Sequence, residues 1–109
     1  MVALATWDRV GRTSQTTTEA PMHAIVVRST LHDFEQATTF LREQGIPRIK
    51  QAPGFIGAQW VRLGENSGTS MLTFETEEAA RAAVEQLKAN PPPGLTIDSV
   101  EIGEVVERI

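Results

Sequence analysis

The residues of this sequence best suited to binding a ligand are an aromatic and a basic side chain on one predicted strand. Trp60 offers a large flat π-system that could stack on a planar aromatic molecule. Arg62 follows two residues later, and side chains at that spacing share one face of a strand. A guanidinium beside an indole could hold an anionic or enolic oxygen of the same molecule. The alternative for Trp60 is packing beneath a helix or in a dimer interface.

Two further residues belong to the candidate ligand-binding set: Arg28, on an earlier strand, and Phe74, at the end of a later one. A long cation on a strand could reach a cavity and bind an anionic oxygen, as for Arg62. Phe74 would form an apolar part of the cavity wall. The alternative for both arginines is an ion pair with a carboxylate on a neighbouring strand, and the candidate carboxylates are Glu75, Glu101 and Glu104.

Other kinds of site lack the residues that they need. The chain has no cysteine, which excludes disulfides, thiolate metal ligands and a cysteine nucleophile. His23 and His32 are the only histidines, and their spacing matches no metal-binding motif. Ser70 and Thr73 have no adjacent base, so no activated nucleophile is predicted. We therefore expect no metal and no cofactor, and the catalytic residues stay unassigned.

Charge and composition narrow the classes of partner. The 109 residues fit one domain, and their formal net charge is −4. No run of Lys or Arg offers a nucleic acid backbone an electrostatic footprint. No apolar stretch approaches the ~20 residues of a membrane span, and the first residues make a poor secretory signal. We expect a cytoplasmic protein that binds neither nucleic acid nor membrane.

Hydrophobic periodicity predicts the element order β-α-β-β-α-β. Strands are expected at residues 23–28, 55–63, 69–75 and 96–109. A first helix is expected after the Thr30 cap, with an interruption at Gly45 and Pro47, and a second helix from Glu77 to about Ala89. This order is the ferredoxin-like split βαβ arrangement, an α+β fold whose antiparallel sheet carries both helices on one face.

The other face of such a sheet needs a cover, and this chain has no third layer to supply one. The predicted last strand, which reaches Ile109, is too long for the domain and could extend toward a second subunit. Two sheets packed face to face would form a dimeric α+β barrel, so we expect a homodimer.

The stretches Ala52-Pro-Gly-Phe-Ile-Gly and Phe74-Glu-Thr-Glu-Glu-Ala-Ala-Arg-Ala-Ala, with a polar hairpin between them, resemble a known family. They are similar to the dimeric α+β barrel superfamily, in particular to its antibiotic-biosynthesis-monooxygenase-like members. The resemblance covers about residues 23–107. It implies a homodimer and relatives that include cofactor-independent oxygenases of aromatic polyketides and heme-degrading enzymes.

The site residues of that family are replaced at the matching positions. Its oxygenases often end the third strand on a tryptophan, where this chain has Phe74. Its heme-degrading members carry a ligand histidine in the second helix, where this chain has Ala83, and an asparagine on the first strand, which residues 25–28 lack. Because the axial imidazole and the polar group over the substrate are both missing, we expect no stoichiometric heme binding.

These observations favour a small dimeric barrel without an assigned activity, which binds a small apolar or aromatic molecule between helices and sheet. One alternative is a cofactor-independent monooxygenase of the antibiotic-biosynthesis type, in which the substrate's own carbanion would activate oxygen within a dry pocket. Another is a non-catalytic ligand-binding or regulatory module. An enzyme needs a pocket of roughly 300 Å³ or more with converging polar groups, whereas a purely structural dimer fills that space with large apolar side chains.

The first 21 residues differ in composition from the rest. Residues 13–19 form a polar, threonine-rich run with little to bury. We expect a polar extension over residues 1–21 and a single domain over residues 22–109, with Met22 as an alternative first residue of the natural protein.

Overall fold

The computed structural model describes residues 21–109 and contains a four-stranded antiparallel sheet. The run of β-branched residues in His23–Leu31 forms β1, an inner strand of that sheet. The other elements follow in chain order: α1 (Phe34–Phe40), a π-helical turn (Leu41–Gly45), α2 (Ile46–Lys50), β2 (Phe55–Leu63), β3 (Ser67–Phe74), α3 (Glu77–Ala89) and β4 (Leu95–Glu104). The strand order β2-β3-β1-β4 confirms the predicted ferredoxin-like fold. Residues 1–20 of the predicted extension lie outside the described residues.

The core lies between α3 and one face of the sheet. Phe74 is fully buried, and its ring meets that of Phe55 edge to face, with 5.7 Å between the centroids. Ala80 is also fully buried, so its small side chain lets α3 approach the sheet closely. The buried cluster is completed by Ile25, Val27 and Val84.

The strongest sequence signals are confirmed. The second helix spans Glu77–Ala89 as predicted, and the Thr76 hydroxyl caps it by accepting a hydrogen bond from the Ala79 amide at 3.0 Å. Glu77, in the first turn, is hydrogen-bonded to the Arg81 guanidinium, which lowers the pKa of the Glu77 carboxyl below its usual value. Among residues 21–109, no helix is long and apolar enough to cross a membrane.

The first helix begins three residues later than predicted. Thr30 is still paired in the sheet, and the cap is Asp33, whose carboxylate accepts a hydrogen bond from the Gln36 amide at 3.0 Å. At Gly45 the chain stays helical through the π-turn, and Pro47 lies in the first turn of α2.

A bulge in β2 changes which side chains share a face. The expected alternation places Phe55 with Gly57 and Gln59, but the pairing shifts between Phe55 and Gly57. The extra residue brings Phe55 to the same face as Ala58 and Trp60. This is the face that the helices cover.

The last strand is shorter than predicted. It ends at Glu104, which pairs with His23, the first residue of β1. Beyond that point the Val105 amide still donates a hydrogen bond to the Met22 carbonyl at 2.8 Å. Residues 106–109 then leave the ladder and expose Val106 and Ile109. The prediction of a strand that continues to Ile109 is therefore wrong.

A glycine at the start of β4 joins that strand to α1. The Gly94 carbonyl accepts hydrogen bonds from the amides of His32 and Asp33, at 2.8 and 2.9 Å. Gly94 has a φ of +83°, and a Cβ there would lie 2.7 Å from the Asp33 carbonyl oxygen. This position therefore requires glycine for both conformation and space.

We expect Gly94→Ala to lower the free energy of unfolding by about 2–4 kcal/mol, because left-handed strain and a backbone clash add. Gly64→Ala is the matched control: Gly64 has a φ of +68°, but no atom lies within 4 Å of the position that a Cβ would take. It should cost only the strain, about 1–2 kcal/mol. Urea unfolding of both variants measures the difference, and equal losses would contradict the close approach.

Candidate functional site

A cavity of about 790 Å³ separates the first helical segment, residues 34–50, from the sheet. Its volume lies within the range of small-molecule sites, roughly 300–1,000 Å³. The sheet forms its floor, α3 forms one side, and the α1–α2 segment forms the roof. The apolar residues that line it include Ile25, Val27, Leu41, Ile49, Leu72, Leu87 and Ile97.

Small side chains on the floor account for the space. The inward positions of the sheet at the cavity include three small residues, Ser29, Gly68 and Ser70. The Ser29 hydroxyl donates to the Gly68 carbonyl at 3.4 Å, so it lies against the sheet. Whereas α3 packs on three strands, residues 34–50 make few close contacts with the sheet. The first helical segment therefore packs less closely on the sheet than α3 does.

Trp60 lies beside this floor. It pairs with Ser70 across β3 and lines the cavity, with 39% of the residue exposed. An indole in this position has one part against apolar lining and another part open to an entering molecule. Trp60 therefore lies on the face of the sheet that the helices cover.

Arg62 lines the cavity one position farther along the same face. Its guanidinium carbon lies 3.8 Å from the centroid of the Phe34 ring, in a cation–π contact. Its Nη2 also donates a hydrogen bond to the Glu65 carbonyl at 3.1 Å. Arg62 thus connects the β2–β3 hairpin to the first turn of α1 at the mouth of the cavity.

The other two sequence candidates do not line the cavity. Phe74 belongs to the packed core under α3 and has no exposed surface. Arg28 pairs with Thr69 and Ser99, which places its exposed side chain on the opposite face of the sheet. The structure therefore brings together Trp60 and Arg62 and leaves Phe74 and Arg28 elsewhere.

The lining residues that were not in the predicted set include one aromatic and two basic side chains, those of Phe34, Arg42 and Arg48. Phe34 stood in the apolar stripe of the first helix, and no local signal indicates that its ring meets Arg62 on a distant strand. Arg42 lies within the π-turn, and Arg48 lies in α2, which follows it. That turn adds a residue to the helical repeat, so simple helical periodicity does not give their direction.

The lining of the described cavity is better suited to binding than to acid–base chemistry. None of its residues within 21–109 is a histidine or a carboxylate. His23 lies near Pro21 and Glu77, and His32 shares a hydrogen bond of 2.6 Å with Thr96; both are outside the lining. In the same range, no group of three metal-ligating side chains comes together.

Solved structures with widely different sequences share this fold. SnoaB, a cofactor-independent oxygenase from Streptomyces nogalater, is 21% identical over 83% of this chain and 96% of that chain, with a TM-score of 0.54. A dimeric ferredoxin-like protein from an uncultured marine organism is 11% identical over 82% and 99%, with a TM-score of 0.60. A candidate antibiotic-biosynthesis monooxygenase from Bacillus cereus is 22% identical over 83% and 98%, with a TM-score of 0.52.

No protein-family model matches the chain, and no curated protein does either. The structural likeness confirms the ferredoxin-like fold and its similarity to antibiotic-biosynthesis-monooxygenase-like proteins. At these sequence identities a shared fold does not convey an activity, so the function of this chain depends on the residues that line its own cavity.

Proposed function

We propose that this protein binds a small apolar or aromatic molecule in the cavity between residues 34–50 and the sheet. The observation that carries the proposal is the combination of an apolar interior with Trp60 at its edge. Apolar lining removes the body of a ligand from water, and an indole stacks on planar rings.

The residues that line the cavity favour ligand binding over catalysis. An oxygenase that relies on a substrate carbanion needs a group that removes a proton from the substrate. SnoaB is described as a cofactor-independent oxygenase, and this chain shares its fold at 21% identity. The described lining offers arginines, amides and hydroxyls, but no histidine or carboxylate to act as that base. A ligand-binding or regulatory module is therefore the function that the cavity supports best.

We also propose a homodimer formed through the uncovered face of the sheet. That face carries exposed apolar side chains, with Val61, Leu63 and Met71 each more than 40% exposed. A neighbour in fold is described as dimeric, which supports this arrangement. The single domain over residues 22–109 and the cytoplasmic location stay predictions.

Light scattering at micromolar concentration should give about twice the 11.9 kDa of one chain, since a stable interface of ~1,200–2,000 Å² would cover that face. Met71→Lys should shift the mass toward the monomer, because a buried unpaired charge opposes association. Glu85→Lys, on the exposed surface of α3, is the control and should stay dimeric. A monomeric parent protein would contradict the proposed dimer.

The ligand proposal is tested by tryptophan fluorescence in a Trp7→Phe background, where Trp60 is the only indole. Titration with 1,4-naphthoquinone should quench Trp60 emission with saturation, and the absence of cysteine removes the usual thiol addition to quinones. The control carries Trp60→Phe and Glu85→Trp, which moves the indole to the exposed surface of α3, outside the cavity lining. It should show only the linear quenching of free tryptophan. Equal, unsaturable quenching in both proteins would contradict the proposed site.

A further inference from the structure

Three arginines line the cavity, and the described lining contains no aspartate or glutamate. Arg42 lies in the π-turn, Arg48 in α2 and Arg62 in β2, so the positive charges come from the roof and from the floor. The whole chain has the opposite balance, with 14 acidic and 10 basic residues. The cavity lining is therefore positive within a chain whose net charge is negative.

The carboxylates of the described chain do not neutralise these arginines. Within residues 21–109, the ion pairs are those of Glu77 with Arg81 and with His23. Both lie at the start of α3, away from the cavity. The cavity therefore joins an apolar interior to guanidinium groups that have no carboxylate partner in this part of the chain.

A ligand could replace one of the two contacts that hold the Arg62 guanidinium. Within residues 21–109, its guanidinium contacts the Phe34 ring and donates a hydrogen bond to one neutral carbonyl oxygen, that of Glu65. Both are weaker than an ion pair with a carboxylate, which a planar guanidinium can bind through two parallel hydrogen bonds. An anion that enters the cavity would therefore bind Arg62 more strongly than the Glu65 carbonyl does. The Phe34 ring can keep its contact with the face of the guanidinium while the edge binds the anion.

We propose that the ligand of this cavity is an apolar acid, whose anionic oxygens are bound by Arg62 while Phe34 holds the guanidinium at the mouth. This inference rests on the proposed function, because it assigns a charge to the molecule that the cavity binds. The apolar body lies over the floor beside Trp60, and the acidic group lies toward the mouth. Arg42 and Arg48 add to the positive potential at the roof.

The test compares two molecules that share one ring system, 2-naphthoic acid and 2-naphthamide, by calorimetric titration of the parent protein. The acid should bind at least ~10-fold more tightly, because its carboxylate forms an ion pair with the guanidinium whereas the amide offers only a neutral carbonyl oxygen. Arg62→Gln should remove most of that preference by weakening acid binding ~10-fold, with amide binding changed less than ~2-fold.

Two variants separate the role of Arg62 from general charge. Arg28→Gln removes the same charge from the opposite face of the sheet, and it should leave the acid preference unchanged. Phe34→Leu keeps an apolar side chain but removes the ring face beneath the guanidinium, so it should reduce acid binding by a few-fold and spare the amide.

Each outcome bears on one of the two proposals. If neither molecule binds, the proposed function itself fails. Equal binding of acid and amide would overturn the present inference and leave the ligand-binding function standing. The inference would also be overturned if Arg62→Gln weakened both molecules alike, or if Arg28→Gln weakened acid binding as much as Arg62→Gln does.

Discussion

The structure depends on an unequal packing of its helices on one sheet face. Fully buried Ala80 brings α3 down onto the sheet, where Phe74 fills the space against Phe55. The other helical segment, residues 34–50, lies over serine and glycine positions and has few close contacts with the strands. Close packing stabilises a small domain, so this half of the molecule contributes less to the free energy of unfolding. The same loose packing leaves room for a ligand.

The sequence predicted the order of the elements because each long element has its own local signal. The helix Glu77–Ala89 has a threonine cap and regular apolar spacing, and the strand Phe55–Leu63 lies between a Pro-Gly turn and a polar hairpin. The errors arise where pairing between distant strands decides the outcome. The bulge after Phe55 depends on β3, and the end of the last strand depends on where β1 begins. Neither constraint is visible in a local pattern.

The sequence predicted only the part of the candidate site that depends on a local spacing. Trp60 and Arg62 are two residues apart on one strand, so a strand prediction alone places them on a common face. The contact of Arg62 with Phe34 joins a strand to a helix and requires the tertiary fold. Phe74 is a core residue and Arg28 faces away from the cavity, because face and depth in a sheet are set by register and by helix placement.

The central claim is that the gap over the small floor residues is open and is the binding site. The affinity of Ser70→Leu for 2-naphthoic acid tests it most directly, with stability followed by urea unfolding. Ser70 is buried on the floor beside Trp60, so leucine there should fill the gap, keep the stability within about 1 kcal/mol and weaken binding at least ~10-fold. Ala80→Val, in the packed interface, should instead cost ~1–3 kcal/mol. Unchanged affinity in Ser70→Leu would contradict the account.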